Sequence, residues 1–226
     1  MGWWVHNAFD SGGPIFLLSW IFWVLLSITL HELAHGWAAI WEGDMTPREL
    51  GRMTANPIVH MGTMSLVVFA IIGIAWGMMP VNPSRFRHRR WGDAIVAVAG
   101  PAMNIVLAFA CLTALGIWQG NYTPPTTAEL DPTWQQQAML FLLIGGWLNL
   151  VLCLLNLIPV PPLDGSRILA SCSWKIRELY RHPQAQFAGL FIFMIIFIGG
   201  IADGAFQWTM VMANRYANFI SSLFGG

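Results

Sequence analysis

His31, Glu32 and His35 stand in the order His-Glu-Leu-Ala-His, inside a run from Gly13 to Trp41 in which Glu32 is the only acidic residue. On an α-helix the two imidazoles lie one turn apart on one face, where both reach a single Zn²⁺, and the carboxylate sits beside it to take a proton from bound water. Ionisable groups in so apolar a run are costly without a task, which marks these three as a functional candidate. A catalytic zinc usually has three protein ligands and an open position, so two histidines leave the site one ligand short.

The elements that must carry this pair are membrane helices. Of 226 residues 56% are hydrophobic and only 10% charged, and the mean hydropathy is +0.58. At about 20 residues per crossing, this length allows about four to six membrane helices and leaves little for a soluble module. The expected architecture is an all-α polytopic membrane protein: a single membrane-embedded domain over 1–226, with a core at 14–170 and C-terminal helices at 185–226. Eleven basic and 11 acidic residues balance to zero net charge, which gives no reason to expect nucleic acid or an acidic partner. Cys111, Cys153 and Cys172 lack metal or redox spacing and read as small apolar residues. The N-terminus has no basic region of the kind that precedes a cleaved signal, so the first apolar segment is expected to be retained.

Apolar stretches fall at 14–41, 61–80, 91–118, 134–158 and 187–201. From Gly204 onward Phe206, Met210, Ala213, Ala217, Ile220 and Phe224 recur at helical spacing among polar residues, which suggests an amphipathic helix at the interface, with a further span as the alternative. Every Lys and Arg except Arg215 lies in one of three connections: Arg48 and Arg52; Arg85, Arg87, Arg89 and Arg90; Arg167, Lys175, Arg177 and Arg181. The positive-inside rule places all three in the cytoplasm and puts the N-terminus and the 119–133 loop outside. A full crossing by 61–80 would separate the first two. That stretch contains Gly62, Gly73 and Gly77 and ends at Pro80, so it is expected to be re-entrant or a non-crossing hairpin.

The third ligand should be a carboxylate. Glu42, Asp44, Asp93, Asp164 and Asp203 lie in or beside apolar segments. Glu42 and Asp44 follow the motif too closely to fold back easily, and Asp93 could cap the helix it precedes. Asp164 stands out because Pro159, Pro161 and Pro162 break the preceding helix and Gly165 follows, an extended stretch that could deliver a carboxylate to a metal. The competing reading is a proline-rich terminator in which Asp164 only caps the next helix. A non-crossing 61–80 segment places Asp164 on the same membrane face as His31 and His35, at the inner end of the first helix.

His-Glu-Leu-Ala-His, Gly100-Pro101-Ala102-Met103-Asn104, and Asn156-Leu157-Ile158-Pro159-Val160-Pro161-Pro162-Leu163-Asp164-Gly165 together resemble the site-2 protease family of intramembrane zinc metalloproteases. The stretches 51–57 and 80–83 resemble its small prokaryotic branch without a PDZ domain, and the likeness covers about residues 14 to 170. The resemblance implies His31, His35 and Asp164 as ligands of one Zn²⁺ per chain, and Glu32 as catalytic base. It also implies that Asn156 and Pro162 lie along a substrate strand and that Asn104 is near the site. Ser166 departs from the family, which often has a second glycine there. The implied activity is hydrolysis of transmembrane protein or peptide substrates near the cytoplasmic face of the cell membrane. The rival expectation is a zinc-binding membrane protein without proteolytic activity; oligomeric state is left open. His60 is expected to make a structural hydrogen bond, and His6, His88 and His182 to be solvated.

Overall fold

The computed structural model describes residues 3–89, 91–122, 133–198 and 200–225, and no strand forms among them. The helices are α1 (Trp4–Trp41), α2 (Thr46–Glu49), α3 (Pro57–Ile72), α4 (Gly92–Gly120), α5 (Trp134–Asn156), α6 (Asp164–Cys172), α7 (Trp174–Arg181), α8 (Pro183–Ile198) and α9 (Ile201–Phe224). Gly12–Trp41 of α1, together with α4 and α5, are long and apolar enough to cross a membrane. The chain is thus an all-α membrane protein. The local sequence explains the ends of these spans. α1 is broken at Gly13, whose φ is 73°, and Pro14 then opens the long segment, where a missing N–H costs nothing. At the start of α5, Thr133 and Gln136 form a reciprocal capping box.

The core joins α1, α3, α4 and α5 through Trp23, Val24, Ile28, Met61, Phe69, Cys111, Ile144 and Leu148. In lipid, helices associate through close packing and interhelical hydrogen bonds rather than by excluding water. Trp23 shows both, with its ring against the face of Gly145 and its indole N–H donating to the Phe141 carbonyl at 2.9 Å.

α9 differs from the interfacial expectation. It runs alongside α4, with Ala213 and Ala217 against Leu112 and Leu115, the Tyr216 hydroxyl 3.0 Å from that of Thr113, and Gly225 beside Gly120. Its polar residues Asp203, Gln207, Asn214, Arg215 and Asn218 are exposed. The amphipathic pattern therefore reflects packing of a small-residue face onto α4, which periodicity alone does not distinguish from lying in the interface.

α3 and the segment after it form a hairpin. Gly73 ends α3 in the left-handed region, and the chain returns antiparallel to the helix. Trp76 N–H donates to Ser65 Oγ at 2.9 Å, Ser65 Oγ donates to the Trp76 carbonyl at 2.7 Å, and Met78 N–H donates to the His60 carbonyl at 3.0 Å. At the tip, both the Trp3 and Trp4 indoles donate to the Ala70 carbonyl, one of the helix-end acceptors that α3 cannot satisfy itself. Asn82, at the exit, donates its N–H to the buried Asp44 carboxylate at 2.6 Å. The hairpin leaves and rejoins the bundle at the same end of α1.

That end gathers the three basic connections. Arg85 pairs with Glu49 at 2.8 Å, and Arg167 pairs with Asp93, at the start of α4, at 2.7 Å. Glu42 locks the second connection to α1: its carboxylate accepts from His88 N–H and Nδ1, each at 3.0 Å, and its carbonyl accepts from Arg87 N–H at 2.7 Å. Glu42 and Asp44, two of the rival ligands, are thus committed to holding loops.

Burial alone would raise the Glu42 pKa, but the His88 side-chain and backbone hydrogen bonds outweigh it and hold the group below its ordinary 4.5. A carboxylate whose pKa falls on folding stabilises the fold above its unfolded value and ceases to do so as the pH drops through the folded one. Glu42→Gln is therefore expected to lower thermal stability near neutral pH by about 1–3 kcal/mol. It should also flatten the decline of the melting temperature in acid. Equal acid slopes for the two proteins would contradict this role.

Candidate metal centre

His31 and His35 face α4 from the C-terminal half of α1, both less than a tenth exposed. The His35 Nδ1–H donates to the Val96 carbonyl at 2.7 Å; a carbonyl only accepts, so the proton is on Nδ1 and the Nε2 lone pair points into the site. His31 Nδ1 lies 2.7 Å from Asn104 Oδ1, which orients its ring the same way. The two Nε2 atoms are 3.0 Å apart.

Asp164 supplies the third corner. Its Oδ2 lies 3.1 Å from His31 Nε2 and 3.3 Å from His35 Nε2. Zinc bonds of 2.0–2.1 Å in tetrahedral geometry separate neighbouring ligand atoms by about 3.3 Å, so the three donors fit one such ion. Three lone-pair donors held this close in a buried site repel one another unless a cation lies between them. Asp164 is the first residue of α6, where the helix dipole favours a negative charge. Behind it Arg167 binds Asp93 with its guanidinium, and one nitrogen lies 3.9 Å from Asp164 Oδ1. The prolines end α5 and turn the chain; Gly165 then packs so tightly that a Cβ there would sit 2.2 Å from the Leu157 carbonyl oxygen. Ser166 is buried and donates its hydroxyl to the Leu163 carbonyl at 2.7 Å, closing the turn with a side-chain bond.

Other residues named from sequence are distributed around this centre. Glu32 is buried, and its side chain packs against Gly77 of the extended segment returning from the hairpin tip: a Cβ at 77 would lie 2.6 Å from Glu32 Cγ and 2.7 Å from Oε1. Asn104 is fully buried between His31 and Asn149, and its Nδ2 donates to Asn149 Oδ1 at 2.9 Å. Asn156 is the last residue of α5 and donates its side-chain amide back to the Leu152 carbonyl at 3.0 Å. Pro162 is exposed on the turn before Asp164. His60 donates Nε2–H to the Thr54 carbonyl at 2.6 Å. The sequence reading did not single out Asn149, although an asparagine in the middle of an apolar helix is a signal of interhelical bonding. It also did not show why Gly77 and Gly100 are glycines.

Gly100 lets α4 pass over the ligand pair, since a Cβ there would sit 2.5 Å from the Nε2 atoms of both His31 and His35. Gly100→Ala is expected to cut zinc affinity at least tenfold, measured by competition with a chromophoric chelator. At Gly77 the obstructed atoms belong to the flexible end of Glu32. On the reading of Glu32 as catalytic base, Gly77→Ala should therefore retain zinc but lower kcat by up to about 100-fold, the cost of misplacing a reacting group by about 1 Å. Normal turnover in this variant would show that Glu32 has no need of that position.

Comparison with known proteins supplies the family. The family model described as peptidase family M50 matches residues 19–200. "Putative zinc metalloprotease YwhC" of Bacillus subtilis is 34% identical over 194 residues, 85% of each chain. "Putative zinc metalloprotease Rip2" of Mycolicibacterium smegmatis is 31% identical over 146 residues, 62% of this chain and 52% of the relative. A Synechocystis relative, "Putative zinc metalloprotease sll0528", is 31% identical over 168 residues, 74% of this chain but 35% of its own. The chain thus spans most of the Bacillus protein, about half of the Mycolicibacterium one and about a third of the Synechocystis one. No solved structure matches it. With most of its length matched by the family model, and with a cluster of His31, His35 and Asp164 suited to Zn²⁺, the chain belongs to peptidase family M50, the site-2 proteases, and is a zinc metalloprotease.

Proposed function

We propose that this protein hydrolyses peptide bonds of transmembrane substrates within the bilayer, close to its cytoplasmic face. The observation that carries the reading is the position of the metal-binding cluster. His31 and His35 belong to a helix apolar enough to span a membrane, and Asp164 follows directly on the end of another. The orientation is supported by the basic connections, which meet at the end of the bundle toward which the cluster lies.

His31, His35 and Asp164 would hold the zinc, which supplies a Lewis acid that lowers the pKa of water and polarises a carbonyl. Glu32 is the catalytic base; it takes the proton of the attacking water and passes it to the leaving amine. A membrane helix conceals its peptide bonds in its own hydrogen bonds, so the substrate must unwind locally before it can be cut. The extended 73–82 segment is the better placed partner for the unwound strand. Trp76 and Met78 use the edge toward α3, while Gly77 lies against Glu32. By strand alternation the backbone groups of residue 77 point to the opposite edge, open to addition of a strand. In the proline turn, by contrast, the Pro159 carbonyl accepts from the Tyr180 hydroxyl and Leu163 N–H is bound to Val160. Asn156 and Pro162 flank the site on that side and are read as bordering the same substrate strand. Lipid provides no water, and placement at the inner end of two helices keeps the route from the cytoplasm short.

Cleavage of single-span substrates by purified protein, compared with Glu32→Gln, tests this reading. The variant should bind zinc and lose at least about 100-fold in rate, as expected for a general base. Equal rates would remove Glu32 from the mechanism, and no cleavage by either protein with zinc bound would contradict the proposed substrate class. Asp164→Ala should lose zinc occupancy by metal analysis; full occupancy would contradict its place as a ligand.

A further inference from the structure

We propose that Asn149, on α5, is a positioning residue for the metal centre: through Asn104 it dictates which nitrogen of His31 carries the proton. The inference rests on the reading of His31 as a zinc ligand. His35 takes its orientation directly from a backbone carbonyl, that of Val96. His31 has no such direct anchor; its Nδ1 meets Asn104 Oδ1, and an amide side chain could equally present its NH₂ by turning over.

What prevents the turn lies further along. Asn149 donates one amide hydrogen to the Gly145 carbonyl at 2.8 Å and the other to Ser27 Oγ at 2.9 Å. The Gly145 carbonyl only accepts, so the Asn149 NH₂ must face it and the Asn149 oxygen must face Asn104. The Asn104 NH₂ then points at Asn149, its oxygen points at His31, and His31 must hold its proton on Nδ1. The Nε2 lone pair is left for the metal. Ser27, Asn104 and Asn149 are all fully buried, which leaves no solvent to repair a reversed link. The relay also joins the three long apolar helices in a closed circuit, from Ser27 on α1 through Asn149 on α5 and Asn104 on α4 back to His31, one turn beyond Ser27.

An aspartate at 104 has only acceptors and needs no partner to fix its orientation, which gives the proposal a specific rescue. Zinc affinity is measured by chelator competition on the purified full-length protein for wild type, Asn149→Leu, the double variant Asn149→Leu/Asn104→Asp, and His31→Ala. Thermal midpoints of the zinc-free forms are taken alongside. Loss of support behind a metal-bound histidine typically costs 10–100-fold in affinity. Asn149→Leu should therefore weaken zinc binding at least about tenfold and also lower the zinc-free midpoint, since buried partners lose their bonds, and Asn104→Asp should restore most of the affinity without restoring the midpoint. Asn149→Ala, made in parallel in case the leucine is not accommodated, should behave likewise. Wild-type affinity in the Asn149 variants while His31→Ala loses zinc would overturn the relay alone. An unaltered affinity in His31→Ala would overturn the ligand assignment beneath it. A loss at Asn149 that Asn104→Asp does not recover would assign Asn149 to packing and also overturn the proposal.

Discussion

Two imidazole nitrogens and a carboxylate oxygen, all buried and within 3.3 Å of one another, repel unless a metal ion or a shared proton lies among them, and their spacing suits a metal ion. The course of the chain between His35 and Asp164 can be traced to that constraint. His31 and His35 come from one helix at no topological cost. Asp164 lies far along the chain, so the intervening residues must return it to the same depth and the same end of the bundle. α4 and α5 do this as one passage away from that end of the bundle and one back, and the proline turn then places the start of α6 against His31 and His35. α4 crosses so closely that residue 100 has no room for a Cβ.

The same requirement explains the hairpin of α3 and its returning strand. Had this segment continued across, the later helices would have been inverted and Asp164 delivered to the wrong end. Instead the tip is closed by two tryptophan indoles on one carbonyl, and the exit is held by Asp44. The hairpin also brings an extended backbone to Glu32. One structural device thus serves both the topology and the surroundings of Glu32.

The pairing of His31 with His35 was legible because helical spacing is a local property: four residues make about one turn wherever the helix lies. The hairpin was legible less directly, through the uneven placement of arginines. Asp164 was favoured by its prolines but not isolated by them, because a cap and a ligand need the same local sequence. Asn149, Gly77 and Gly100 were not legible as parts of the site, since their significance lies entirely in what α1 brings against them. The two readings left open for α9 have a similar cause. A face of small residues spaced as in an amphipathic helix does not reveal whether its partner is a lipid headgroup or another helix, and here it is α4.

The central claim is that one zinc ion is held by both histidines and Asp164, with no other side chain of the chain in its place. X-ray absorption at the zinc edge of the purified, zinc-loaded protein tests it most directly. The account predicts two imidazole nitrogens with oxygen completing the shell, at metal–ligand distances of about 2.0–2.2 Å. Sulfur in the shell, or fewer than two imidazoles, would contradict it.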